Sequence, residues 1–364
     1  MKPIGLYIHI PFCNGKCPYC DFYSVTPQSD VVSNYVDAVC KKLDDAGGIY
    51  DTVYFGGGTP SLIGSDYIAK ILSHVKRTSD CEVTLECNPS DTGAPDSAFD
   101  FSVVKESGVN RISMGLQSAD NAERKTLGRR GGTADVERAI QRAKLAGIDN
   151  ISLDLMLGVP HQTAESLKKS VEFCKNSGAK HVSAYILKIE EGTPFHRIKS
   201  SLDFPDEDET CDLYMLAVEE LKKAGYRQYE ISNFSYEGFE SRHNLKYWRC
   251  EEYLGIGAAA HSFVNGKRFY YERSIDDFIS EKLPTPDGEG GDEEEFIMLA
   301  LRLREGLIFE IFKARFGKEI PQELISKAKE LRKHGLVELT ENNVSLTVDG
   351  FLVSNSVIYE LLGY

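Results

Sequence analysis

Ile4-Gly5-Leu6-Tyr7-Ile8-His9-Ile10-Pro11-Phe12-Cys13-Asn14-Gly15-Lys16-Cys17-Pro18-Tyr19-Cys20 reads as an apolar strand running straight into a C-x3-C-x2-C loop. Three thiolates on so short a loop can hold three irons of a four-iron cube, whereas a cluster held wholly by protein uses four. Asp21, Phe22 and Tyr23 follow, so no fourth sulfur stands nearby and one iron is left open to a small molecule. Gly15 lets the loop turn tightly. A structural zinc knuckle would need a second pair of Cys or His, and only the lone Cys40 follows at short range. Asp21, rather than His, after Cys20 excludes C-x-x-C-H haem attachment.

Outward from that loop, the chain repeats strand then helix. Strands are expected at Ile4–Ile10, Thr52–Phe55, Glu82–Glu86, Arg111–Gly115, Ile151–Met156 and His181–Leu187. Val83 and Leu85 alternate with polar neighbours, the period of a strand. Tyr35, Val36, Val39, Cys40 and Leu43 fall on one helical face. Asp66–Val75, Asp96–Ser107, Thr133–Ala146, Ala164–Asn176 and Asp206–Ala224 read as further helices. Successive strand–helix units imply a parallel sheet with right-handed crossovers, curled into a barrel or part of one. In such a barrel the loops after the strands form the active face. Here they carry Cys13–Cys20, then Gly56-Gly57-Gly58-Thr59-Pro60, then Glu86, Gln117 and Asp154.

The bulk composition narrows the partners. A formal net charge of −14 argues against affinity built on phosphate neutralisation, and so against nucleic acid. No apolar run approaches the roughly 18 residues of a membrane helix. Met1-Lys2-Pro3 leads at once into strand-like sequence, so no signal peptide is expected and the cytoplasm is the expected compartment. The six cysteines outside the loop are scattered, unlike a secreted disulfide framework.

The barrel is expected over residues 1–235, a connecting segment over 236–283, and an acidic flexible linker over 284–295, where Pro, Gly and acids cluster. Residues 296–364 read as a small α+β domain: a helix from Phe296, another at Gln322–Lys333, then short strands Val337–Leu339 and Val344–Leu346 as a hairpin, a winged-helix-like pattern. From Glu293 to Tyr364 nine Lys/Arg face twelve Asp/Glu, which disfavours a DNA-reading role.

The C-x3-C-x2-C loop after a first strand, with Gly57-Gly58-Thr59-Pro60 after a second, resembles the radical SAM superfamily. The resemblance implies a partial (β/α)6 TIM-like barrel and a [4Fe–4S] cluster on Cys13, Cys17 and Cys20. S-adenosylmethionine (SAM) would chelate the open iron. It would contact Tyr7, Gly57, Gly58, Thr59, Glu86, Gln117, Arg129 and Asp154, and yield a 5′-deoxyadenosyl radical on reduction. Gly131 stands where relatives often carry His, which weakens the case for Arg129.

Over nearly the whole chain the sequence resembles the HemN/HemW branch, through Glu191-Gly192-Thr193-Pro194, Tyr229–Phe234 and Tyr253–Gly257. Coproporphyrinogen III dehydrogenases of that branch carry a fourth cysteine where Phe22 stands. HemW-type haem chaperones carry H-N-x-x-Y-W, here His243-Asn244-Leu245-Lys246-Tyr247-Trp248. An imidazole can ligate haem iron, and aromatic rings can pack on a porphyrin. His243, Tyr247 and Trp248 are therefore expected at a haem site, with His261 and Cys250 as competing axial candidates. The expected function is a haem chaperone with a haem-acceptor protein, a membrane-associated one among the options, and an electron donor for the cluster. No coproporphyrinogen dehydrogenase activity is expected. The alternative is a catalytic radical SAM enzyme.

Overall fold

The computed structural model describes residues 2–364. Six parallel strands lie side by side in chain order: β1 (Ile4–Ile10), β2 (Tyr50–Gly57), β3 (Arg77–Cys87), β4 (Arg111–Gln117), β5 (Asn150–Leu157) and β6 (His181–Ile186). Strand alternation sorts their side chains onto two faces. Leu6, Ile8, Val53, Phe55, Val83 and Leu85 join one apolar layer with helix residues such as Val32, Val36 and Val39. Each fully buried side chain of this kind contributes roughly 1.5–3 kcal/mol. The intervening Tyr7, His9, Thr52, Tyr54, Glu82 and Glu86 turn to the opposite, barrel-facing side, which is unusually polar.

The winding stops after β6. On that flank β7 (Arg227–Gln228) and β8 (Asn233–Ser235) continue the sheet, with β8 antiparallel to β6. On the other flank β9 (Tyr253–Ile256) runs parallel to β1 and is extended by antiparallel β10 (His261–Val264), β11 (Lys267–Tyr270) and β12 (Thr285–Glu289). β1 and β6 therefore never pair, and the arc is a partial (β/α)6 barrel. The short helix Arg242–Trp248 packs where the strands begin: Lys246 bonds Asp51, the second residue of β2, at 2.9 Å.

Two boundaries differ from expectation. Residues 284–295 are no flexible linker. Thr285–Glu289 is an edge strand paired with β11, and the Asp292 carboxylate accepts from the Glu295 N–H at 2.8 Å to start the helix Glu293–Ala300. Pro, Gly and acids suit an exposed sheet edge as well as a linker, because an edge strand tolerates missing donors and repels further pairing. Residues 236–283, expected as a connecting segment that carries the H-N-x-x-Y-W motif, supply three strands of the main sheet and the barrel's closing helix.

The C-terminal domain follows the winged-helix order. The helix Glu293–Ala300 is followed by β13 (Leu307–Ile308), the helices Phe309–Phe316 and Gln322–Lys333, and the hairpin β14 (Val337–Leu339) and β15 (Asn343–Leu346). Two more helices, Val348–Leu352 and Ser354–Leu362, end the chain. Backbone bonds tie this domain to the barrel: Ile231 N–H to Arg302 O at 3.1 Å, and Arg304 N–H to Tyr229 O at 2.9 Å.

Candidate functional site

The cysteine loop leaves the C-terminal end of β1 and is stapled at its base. Cys13 N–H donates to Val25 O at 2.9 Å, and Val25 N–H donates to Pro11 O at 2.8 Å. Inside, a turn closes from Cys20 N–H to Cys17 O at 3.0 Å. All three thiols are unpaired and half-buried. Polar groups of other loops reach them. The Thr59 hydroxyl lies 3.6 Å from Cys13 Sγ, and Arg129 Nη1 lies 3.7 Å from Cys17 Sγ while its Nη2 donates to Gly115 O at 2.9 Å. The Arg129 Nε–H is buried without a partner, consistent with a cation placed there for something besides the protein.

The glycine segment after β2 is pressed onto this loop. Gly58 N–H donates to Ile10 O at 2.9 Å and Thr59 N–H to Phe12 O at 2.8 Å. A Cβ on Gly57 would stand 2.7 Å from the His9 ring, and one on Gly58 would stand 2.5 Å from the Phe12 carbonyl oxygen. Both contacts are impossible for a side chain, so glycine here is required by the protein's own packing as well as by any ligand.

Within the barrel, Glu86 and Asp154 face a polar interior. Tyr54 Oη donates to Glu86 Oε1 at 2.7 Å, and Ser113 Oγ donates to Asp154 Oδ1 at 3.4 Å. Burial pushes Glu86 up to about 7, against the Tyr54 hydrogen bond and helped by the charge of Asp154. Burial likewise lifts Asp154 to about 6, against hydrogen bonds from Ser183 and Ser113 and the charge of Arg111. Arg111 is itself buried in the wall with an unpartnered Nε–H. Each carboxylate would gain from ligand donors that favour its charged form. Tyr7 Oη lies 3.1 Å from His9 Nδ1, and burial raises the Tyr7 phenol well above its usual range. Gln117 adopts φ 67°, and the β4–β5 register slips between Gly115 and Gln117. A non-glycine residue held in that region marks strain, which collects at functional sites.

A cavity of about 690 Å³ opens beside the cysteine loop. Tyr7, His9, Cys20, Met156 and Tyr247 line it as buried or half-buried residues. Lys188, Tyr270 and Tyr271 line it as well, and Phe22, His261 and Arg273 line it as exposed residues.

The H-N-x-x-Y-W residues are divided by the fold. His243 is fully buried, with Nδ1 2.9 Å from Thr52 Oγ1 and Nε2 2.8 Å from Tyr247 Oη. Burial, with Lys246 and Arg111 nearby, lowers its pKa to about 3. Both ring nitrogens are thus engaged, and the residue expected as a haem ligand is a packed part of the barrel's closing helix. Trp248 does not line the cavity; Arg302 of the C-terminal domain stands 5.9 Å from its ring centre. Cys250 is buried and lines a separate cleft with Arg315. Of the haem candidates, Tyr247 and His261 border the cavity. Sequence reasoning passed over Tyr54, Arg111, Ser113 and Ser183. Their alternation with Val53, Ile112 and Val182 was the available signal, since it places all four on the barrel side.

A thiol loop at the open end of a partial (β/α)6 barrel defines a radical SAM protein. The Radical SAM superfamily model matches residues 7–174, and the HemN C-terminal domain model matches residues 293–353. That class carries a [4Fe–4S] cluster and SAM, and the donor-ringed thiols and the polar barrel interior fit both. The haem chaperone HemW of Bacillus subtilis is 35% identical, with 98% of each chain covered. HemW of Lactococcus lactis is 33% identical, covering 99% of this chain and 98% of its own. The chain belongs to the HemW family. The solved structure of Escherichia coli coproporphyrinogen III oxidase (HemN), a radical SAM enzyme, matches with a TM-score of 0.82 at 19% identity, over 100% of this chain and 90% of that one; this likeness is one of fold.

Proposed function

We propose that the protein is a haem chaperone, binding haem beside a SAM-liganded [4Fe–4S] cluster and passing it to an acceptor protein. The observation that carries this is near-complete coverage by HemW haem chaperones, across barrel and C-terminal domain alike. Phe22, 70% exposed beside the thiol loop, stands where the dehydrogenases of the branch carry a further cysteine. Cys13, Cys17 and Cys20 would hold the cluster. Gly57, Gly58 and Thr59 would receive the polar end of SAM, Glu86 and Asp154 would accept from its donors, and Tyr7, Gln117 and Arg129 would complete its surroundings. SAM on a reduced cluster supplies one-electron chemistry.

Among the described residues no helix is long and apolar enough to cross a membrane. We place the chaperone in the cytoplasm, with an electron donor for its cluster and an acceptor that can itself be membrane-bound. The test is haem titration of anaerobically reconstituted protein alongside an assay with coproporphyrinogen III. Stoichiometric haem uptake without substrate oxidation is expected. Oxidation of coproporphyrinogen III with no haem uptake, accompanied by substrate-dependent 5′-deoxyadenosine, would establish a catalytic enzyme instead.

A further inference from the structure

Haem makes three chemical demands at once: flat apolar contact for the macrocycle, a nitrogen for the iron, and cations for two propionates. The lining of the 690 Å³ cavity meets all three. His261, the first residue of β10, is exposed there, its ring stacked on Tyr270 with centroids 5.1 Å apart and planes at 25°. Among the described residues no hydrogen bond engages either of its ring nitrogens, whereas both nitrogens of His243 lie within 2.9 Å of a hydroxyl. Phe22 stands at the same mouth as an exposed aromatic face. Two cations line it, together with the carboxylates Asp21, Glu190 and Glu272. Lys188 is held by Glu190 at 2.8 Å, and Arg273 is exposed with no carboxylate partner among the described residues.

We infer that haem cargo docks against the exposed residues of this cavity with its iron on His261 and its propionates toward Arg273, and that His243 is a structural residue of the closing helix. The inference rests on the haem-chaperone reading above and assigns the seat of the cargo within it. Ligation by His243 would first require breaking its contacts to Thr52 and Tyr247 inside the packed barrel. Ligation by His261 breaks no hydrogen bond among the described residues. It also suits handover, because an incoming ligand from an acceptor reaches the iron of an exposed site without unfolding the donor.

The experiment is haem titration of the full-length, anaerobically reconstituted protein, read by the position of the Soret band and by affinity. His261→Ala is expected to shift the band and weaken binding by about tenfold or more, with millimolar imidazole restoring the band. Arg273→Ala is expected to weaken binding by about threefold without moving the band. His243→Ala is expected to keep the band position while lowering the melting temperature. A His261→Ala protein with wild-type band and affinity overturns this assignment and leaves the chaperone reading standing. A folded His243→Ala protein that alone loses the band overturns it equally. Wild-type protein that takes up no haem overturns the chaperone reading, and this inference with it.

Discussion

Glu82 and Glu86 stand four residues apart on β3, on the same face of the same strand, and the fold uses them in opposite ways. Glu82 is saturated: its Oε1 accepts from the His243 N–H at 3.1 Å and its Oε2 from the Arg242 N–H at 3.2 Å. It anchors the first turn of the closing helix, whose Ser241 cap bonds Asn244 N–H as well. Glu86 accepts from the Tyr54 hydroxyl at 2.7 Å and from the Gly57 backbone, and burial still pushes its carboxyl up to about 7. A carboxylate that fixes the start of a helix is finished structure. One whose burial outweighs the donors it has can still gain from those of a ligand. The strand-start end of the barrel is thus built to stay shut, and the strand-finish end is built to be completed by something else.

The sharpest way to separate the two ends is to remove a thiol. Cys17→Ala should abolish the four-iron absorption and the SAM affinity that depends on it, while the melting temperature of the metal-free protein stays close to that of metal-free wild type. Absorption spectroscopy and calorimetry on the same preparation read both halves of that expectation. A large fall in metal-free stability would mean that the loop is part of the structural end after all.

Next in size, Glu82→Ala leaves two helix-start N–H groups without acceptors. Charge-assisted bonds of this kind are worth roughly 1.5–3 kcal/mol each in context, so a loss of about 3 kcal/mol or more is expected in denaturant unfolding. SAM affinity per folded molecule should be unchanged. If Glu82→Ala leaves stability intact, the contrast between the two glutamates fails.

Much of this division is local and therefore legible in the sequence. The thiol loop, the six strands and the terminal hairpin follow from short-range spacing and alternation. The role of His243 is not local. Its partners Thr52 and Glu82 lie far upstream on β2 and β3, and only the closed sheet brings them to the helix Arg242–Trp248. An imidazole beside Tyr and Trp reads equally well as a haem ligand or as a core residue until that packing is known. Residues 284–295 misled for another reason: Pro286, Gly288 and Glu289 are what an exposed edge strand wants, and composition cannot distinguish that from a linker. His261 was visible as a candidate, but its advantage over His243 lies in exposure, which no spacing encodes.

A smaller effect is expected from Glu86→Gln. The amide keeps the shape and the Tyr54 contact but loses the charge that ligand donors seek, so SAM affinity at pH 8 should fall by about tenfold. In wild type the affinity should also decline as pH drops below about 7, because the ligand's donors must displace the proton that Glu86 then holds. Isothermal titration across pH 6 to 8 checks both, and the variant should lack most of the decline. Asp154, lifted to about 6, would account for whatever slope remains at the acid end.

The finest test uses stability against pH, where Glu86 and His243 should pull in opposite directions. Glu86 binds its proton more tightly folded than unfolded, with a pKa near 7 against 4.5. Its contribution is therefore favourable below pH 4.5 and is lost as pH rises through about 7. His243 is the reverse. Its folded pKa of about 3 lies below 6.5, so its stabilisation is complete above pH 6.5 and is lost as pH falls toward 3. Between pH 4.5 and 6.5 the two slopes partly cancel in the wild type, and His9, lowered to about 4, adds to the histidine side. Glu86→Gln should leave melting temperatures that fall more steeply on acidification, and His243→Gln should flatten or invert that fall. Parallel curves for the two variants would show that burial does not set Glu86 against His243, and the distinction drawn from Glu82 and Glu86 would then describe hydrogen bonds alone.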